Sequence, residues 1–295
     1  MKQLLIIWIC LSSFTICAQS FNKEIKKGNS ALLLGKINQE ALSTAPYQEW
    51  FQKNKDSYSP KLEIITKIKP LISPYTIRAF MGTWCGDSKR DIPKLYAVLE
   101  AANFPMDRLT LIAVARDRDS YKQSPGGEHE GQNIHRVPTI ILYKNGVEVN
   151  RIIESPVISL EEDLLHIMEG PYVSNHHLVT LTNNLLLTHG SAKLVKKGKR
   201  QLKTLQKVAD SPYQLNTYAN VLYFANQTEN ALAILRLNSI IFPDKAIVFS
   251  NLANTLAKAD KLDEATMMYK KAIALEPDNQ KNIDALTQIQ AKLTK

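Results

Sequence analysis

The chain has 295 residues, enough for about two domains, and with 44% hydrophobic and 22% charged residues it can bury a core. Its net charge of +9 is spread along the sequence rather than gathered in one tract, and a basic balance alone does not select nucleic acid. The sequence has no glycine-rich phosphate loop, zinc-type cysteine pairing or aromatic RNA-binding signature, so no nucleic acid, metal or cofactor is expected.

Lys2 precedes an apolar run from Leu4 to Cys17, interrupted only by Ser12-Ser13 and Thr15, and Ala18-Gln19-Ser20 follows. A basic start, a short apolar stretch and a small residue before a polar turn describe a secretory signal peptide over residues 1–18. The run is too short for a membrane span of about 20 apolar residues, so no transmembrane segment is expected beyond the signal. Cleavage after Ala18 implies an exported protein of the periplasm or cell envelope. Lipidation at Cys17 is the less favoured alternative, because Phe14-Thr15-Ile16 lacks the small residue wanted before a lipidated cysteine. Losing Cys10 and Cys17 with the signal leaves Cys85 alone in the mature chain. Exported proteins usually pair their cysteines, so an unpaired one is either buried and inert or reactive.

Residues 19–59 read as an N-terminal extension, with a strand at Ala31–Gly35 and a helix over Pro46–Lys55; a second helix runs over Pro60–Pro70. Each helix opens on a proline suited to the first helical turn. The α/β domain proper is expected over 60–172. Thr76–Met81 suits a buried strand, Gly82–Ser88 a sharp turn, and Lys89–Ala102 a helix with Ile92, Leu95, Val98 and Leu99 facing inward. Pro93 is expected in the first turns of that helix, where it is tolerated. Leu109–Ala115 reads as a strand, followed by a polar loop through Gly126-Gly127. Val137-Pro138-Thr139 leads into a strand at Ile140–Tyr143, a hairpin turn at Lys144-Asn145-Gly146, a strand at Val147–Ile152 and a helix over Leu160–Met168.

The segment Met81-Gly82-Thr83-Trp84-Cys85-Gly86-Asp87-Ser88 resembles the Trp-Cys-x-x-Cys active site of thioredoxins, with serine in the second cysteine position. Together with Val137-Pro138-Thr139 in the right order, it makes residues 60–170 similar to exported bacterial thioredoxin-like proteins. The resemblance implies a thioredoxin-like fold, a cis Val137–Pro138 bond, and Val137 and Pro138 facing Cys85 as a docking edge for an extended client. Trp84, Gly86, Asp87 and Thr139 join them as expected client-binding residues. Trp84 is either a platform for the client or a lid on the fold.

A cysteine at a helix N-terminus lies near unpaired backbone N–H groups and the positive end of the helix dipole. Both favour the thiolate, the nucleophile of disulfide exchange. Ser88 cannot resolve a mixed disulfide, but its hydroxyl is placed to stabilise the Cys85 thiolate, so Cys85 and Ser88 form the expected catalytic pair. Ala79 stands where many thioredoxins carry a buried aspartate that serves the resolving cysteine. Asp87 opposes the thiolate by like charge. Arg136 and His135 precede the Val137–Pro138 bond, where either would add positive potential near the sulfur; the favoured reading of His135 is an exposed loop histidine. A self-contained dithiol reductase is excluded. What remains is monothiol exchange or mixed-disulfide capture of a protein or peptide client, with a small external thiol for recycling; the alternative is a non-catalytic adaptor.

Beyond Gly170-Pro171 the signals are helical. Residues 173–210 read as a helical linker or cap. They hold Lys193, Lys196, Lys197, Lys199, Arg200, Lys203 and Lys207, expected as a solvated face, with a basic patch for an acidic partner or envelope surface as the less favoured alternative. From residue 211 to 293 a 34-residue repeat aligns Pro243 with Pro277, Ala231 with Ala265, Ala219 with Ala253, Leu222 with Leu256, and Leu235 with Tyr269. Asn238 and Tyr218, opposite Ala272 and Leu252, mark the first copy as degenerate. The spacing resembles tetratricopeptide repeats and implies an all-α tail that binds other proteins.

Overall fold

The structure, a computed structural model, describes residues 21–27 and 30–294. The expected signal peptide, with Cys10 and Cys17, lies outside the described residues. Two units follow one another: a mixed α/β sheet domain and an all-helical repeat-like tail.

The sheet has the order β1-β2-β4-β3-β5-β6, with β1 at Lys23–Lys27, β2 at Ser30–Ile37, β3 at Tyr75–Met81, β4 at Leu109–Ala113, β5 at Thr139–Lys144 and β6 at Val147–Ile153. β3 and β4 pair in parallel, while β1–β2, β2–β4, β3–β5 and β5–β6 are antiparallel. The parallel pair is joined by helix α4 (Gly86–Ala101), and helix α5 (Leu160–Glu169) follows β6. Short helices α1 (Gln39–Leu42), α2 (Gln48–Asp56) and α3 (Leu62–Ile68) lie between β2 and β3. The β5–β6 turn places Asn145 and Gly146 at positive φ, 53° and 77°, as the Asn-Gly pair demands.

Side chains alternate along a strand, so β3 feeds two cores. Ile77, Ala79 and Met81 join Phe51 of α2, Ile65 and Ile68 of α3, Ile92, Leu95 and Leu99 of α4, and Leu164 of α5 in one cluster. Phe80 faces the other way, with Ile112, Val114, Ile134, Val137 and Ile141. That second face is covered by the long β4–β5 crossover, whose only helical piece is a single 3-10 turn at Arg118–Ser120. The expected N-terminal extension is therefore integral to the domain, because β2 pairs with β4 and Leu33, Leu42 and Phe51 sit in the main core.

Several boundaries differ from the sequence reading. Helix α4 begins at Gly86 rather than Lys89, so Pro93 lies inside it rather than in its first turns. Proline offers no N–H to the carbonyl four residues back; here that carbonyl, of Lys89, accepts from Asn54 Nδ2 at 3.0 Å. Pro46 and Pro60 fall just outside α2 and α3, before the N-cap residues Tyr47 and Lys61. β4 stops at Ala113, because the backbone of Ala115 pairs with Gln123 and Lys122 of the crossover rather than with a neighbouring strand.

In the tail, α6 (His177–His189), α7 (Ser191–Arg200) and α8 (Leu202–Lys207) precede the helix pairs α9–α10 (Pro212–Phe224, Thr228–Ile241) and α11–α12 (Ala246–Lys258, Leu262–Leu275), and α13 (Gln280–Leu293) closes the series. Ala219 and Ala253, Ala231 and Ala265, Leu222 and Leu256, and Leu235 and Tyr269 are all buried, as the 34-residue register requires. Segment 173–210 is more than a linker: Leu178, Leu194 and Leu205 share one core with the repeat helices. Six of its seven cationic side chains are exposed and Lys197 is half-buried, the expected solvated face. Among the described residues no helix is long and apolar enough to cross a membrane.

Candidate functional site

Cys85 is the N-cap residue of α4, with extended backbone (φ −95°, ψ 126°) and no side-chain cap bond. Its position follows from the strand–turn–helix sequence: β3 ends at Met81, and the Cys85 N–H closes the turn onto the Gly82 carbonyl at 2.9 Å. The half-buried thiol donates to the Val137 carbonyl at 3.2 Å. The first-turn N–H groups of a helix have no intrahelical partner, and Cys85 stands at that end of α4.

Trp84 is held by its own hydrogen bond, Nε1 to the Val114 carbonyl at 2.9 Å. Its indole lies directly over Gly82, where a Cβ would fall 2.5 Å from Cε2. Ser88 is fully buried, and its hydroxyl accepts from the Gly82 N–H at 3.2 Å. It braces the turn, whereas the thiol turns to Val137. Gly86 is exposed. Asp87 pairs with Arg90 at 2.8 Å, and the same guanidinium reaches buried Asp91 at 2.7 Å. The charge that opposes a thiolate thus has its own counter-charge.

On the facing side, Val137 and Pro138 are buried and joined by a cis peptide bond. Thr139 is buried too, and its hydroxyl donates to the Arg136 carbonyl at 2.7 Å, bracing the loop from inside. Cys85, Trp84 and Val137 therefore come together, while Ser88 and Thr139 act from beneath.

His135 is not the exposed loop histidine that the sequence suggests. It is 1% exposed, covered by the rings of His176 at 5.8 Å and Tyr218 at 6.0 Å. Burial, reinforced by the neighbouring His176, holds the imidazole well below its usual range. Arg136 pairs with Glu154 at 2.9 Å and reaches Thr217 of α9 at 3.5 Å. Glu154 also binds His176 Nε2 at 2.6 Å, and this contact chiefly keeps its carboxyl below the ordinary range. Farther along, Gln123 Nε2 donates to the Phe224 carbonyl at 2.8 Å, and Tyr121 meets the Phe224 ring edge-on at 6.4 Å. The helical tail thus docks on the crossover and loop that carry Val137.

Lys122 completes the site and has no counterpart in the sequence reading. Its side chain is buried, with the ammonium donating to the His135 carbonyl and lying 4.7 Å from the Tyr121 ring. Lysine in a polar loop carries no periodicity that would mark it as buried. The partners that bury this region, Tyr218 and His176, lie far along the chain.

No family model matches this chain, and no curated protein matches it. Among solved structures it is similar to the first TPR of Spaghetti (RPAP3) bound to an HSP90 peptide, at 16% identity over 43% of this chain and 100% of that one, with a TM-score of 0.29. That likeness is too distant to transfer a fold or a ligand.

Proposed function

We propose that this is an exported protein whose α/β domain, a thioredoxin-like fold, performs monothiol exchange through Cys85 while its helical tail engages protein partners. The order β3-α4-β4-β5-β6-α5, with Cys85 at the start of α4 and Val137-Pro138 at the start of β5, supports the thioredoxin-like reading. One observation carries the chemistry: the half-buried Cys85 sulfur sits at the N-cap of α4, next to the exposed Gly86.

In the forward step the Cys85 thiolate attacks one sulfur of a client disulfide. A bond forms between Cys85 Sγ and that sulfur, the client S–S bond breaks, and the second client sulfur leaves as a thiolate that takes a proton from water. Ser88 cannot attack the mixed disulfide, so an external small thiol does. It takes the client as a new mixed disulfide and returns Cys85 as thiolate. The half-buried Trp84 and Asp87 and the exposed Gly86 offer the client its contacts.

Incubating the protein with oxidised glutathione and mapping the mass gain tests this reading: a glutathione adduct on Cys85, removed by excess reduced glutathione, is expected. No adduct in the folded protein would overturn it. An adaptor without chemistry is the second reading, favoured by one feature, the burial of His135 and of part of Arg136 beneath α9. Partner capture by Cys85→Ser equal to that of the parent protein, together with no adduct in the parent, would select it.

A further inference from the structure

Burying an ammonium costs more than one neutral hydrogen bond returns, so the buried Lys122 calls for a reason. Lys122 lies in the crossover at φ 59°, and its backbone N–H bonds the Ala115 carbonyl at 3.0 Å, which closes the loop onto the end of β4. That closure sends the side chain inward to the His135 carbonyl, two residues before Val137. Val137 in turn presents its carbonyl to Cys85.

We propose that Lys122 is a positioning residue for Cys85: its ammonium ties down the loop that presents the Val137 carbonyl to the thiol, and lends the sulfur a positive charge. The proposal rests on the reading of Cys85 as the nucleophile. The charged and titratable groups around Lys122 come from four places: Cys85 at the head of α4, Arg136 before β5, Glu154 after β6, and the neighbouring Tyr121. Glu154 is already engaged by Arg136 and His176. His135 offers only its carbonyl, since its imidazole is held neutral. Burial, with Arg136 beside it, lowers the Lys122 ammonium to about 7, so its charge is present in mild acid and lost in mild base. A loop that needed only one donor to His135 would be served by a neutral side chain.

The test compares labelling of Cys85 in the full chain by anionic iodoacetate and neutral iodoacetamide, read by peptide mass. In the parent protein the iodoacetate-to-iodoacetamide rate ratio falls as pH rises from about 6 to 9 and Lys122 discharges. In Lys122→Met the ratio at about pH 6 drops roughly tenfold and becomes flat, while Lys122→Arg keeps a high, flat ratio. A purely structural role would slow both reagents alike and leave their ratio unmoved. A ratio flat with pH in the parent, or unchanged in a folded Lys122→Met, overturns the proposal; the parent profile decides it alone if Lys122→Met does not fold. Glutathione exchange with a flat ratio removes the role of Lys122 and keeps the thiol chemistry. A ratio that follows Lys122 without any exchange does the reverse.

Discussion

The Cys85 thiol meets the Val137 carbonyl at 3.2 Å although 52 positions separate the two residues. This contact joins the head of α4 to the entry of β5 and places a thiol against the backbone of a buried loop. Serine also carries a donor at Cβ, so Cys85→Ser keeps the contact in kind. Its unfolding free energy should stay within about 1 kcal/mol of the parent, while glutathione adduct formation falls to background. Urea titration and mass mapping check the two halves, and an adduct that persists in Cys85→Ser would place the chemistry elsewhere.

Asn54 and Pro93 form a second long-range pairing. Pro93 leaves the Lys89 carbonyl without its helical donor, and Asn54 Nδ2 supplies one at 3.0 Å. Asn54→Leu orphans that carbonyl in a half-buried place and should cost about 1–2 kcal/mol. Pro93→Ala restores an N–H on α4, so the double variant should lose less than Asn54→Leu alone. Strictly additive losses in a double-mutant cycle would break the link between the two residues.

Much of this architecture is legible locally. The β-branched run of β3, the Asn145-Gly146 turn and the apolar spacing of α4 each report their own structure, because the information lies within a few residues. The 34-residue register likewise emerges from small residues that must be buried where helices approach. Tyr218 breaks that register for a reason found elsewhere: its ring lies against His135, and its hydroxyl donates to Asn183 at 2.6 Å. Asn238 departs similarly, since it bonds Asn216 and the Pro212 carbonyl in the buried space between α9 and α10. The buried state of His135 and Lys122 depends on a tail that starts some forty residues later, and no local pattern encodes it. Ser88 was legible as the missing second cysteine, but not as the acceptor of the Gly82 N–H.

Buried His135 sets a pH dependence. Its folded-state value is depressed, so the unfolded chain binds the proton more readily. The stability it contributes is complete above the ordinary histidine value near 6.5 and is lost as pH falls below it. At pH 5 the loss should be about 2 kcal/mol relative to pH 7. Lys122 acts in the same direction in a higher window: its stability is complete above the ordinary lysine value near 10.4 and is lost as pH falls towards about 7. Urea unfolding at both ends of each window checks this. His135→Leu should flatten the acid limb and Lys122→Met the alkaline one; unchanged slopes would mean that neither group is buried neutral.

At Gly198, α7 packs directly against α10. A Cβ there would lie 2.5 Å from Cδ1 and 2.9 Å from Cδ2 of Leu237, itself fully buried in α10. Gly198→Ala gains about 1 kcal/mol of helix propensity but forces a shift in a packed interface that costs about 1–3 kcal/mol. The net effect should be a destabilised tail, read as a lower unfolding midpoint. A stabilised Gly198→Ala would show that the Leu237 side chain gives way at little cost.

The tail and the site share a border, and Tyr218 is where it can be cut. Its ring packs 6.0 Å from His135, whose carbonyl takes the Lys122 ammonium. Tyr218→Phe removes only the hydroxyl bond to Asn183 and should cost about 1 kcal/mol, with Cys85 labelling unchanged. Tyr218→Ala opens a cavity worth about 3–5 kcal/mol directly over His135 and admits water to the loop that holds Val137. Solvation lets His135 take its proton nearer the ordinary range, so the acid limb of the unfolding profile should shrink as it does in His135→Leu. The Cys85 labelling rate should change in the same variant, because the carbonyl that holds the thiol is carried by that loop. If Tyr218→Ala lowers stability yet leaves both the acid limb and the labelling rate untouched, the tail is a neighbour of the site and no part of it.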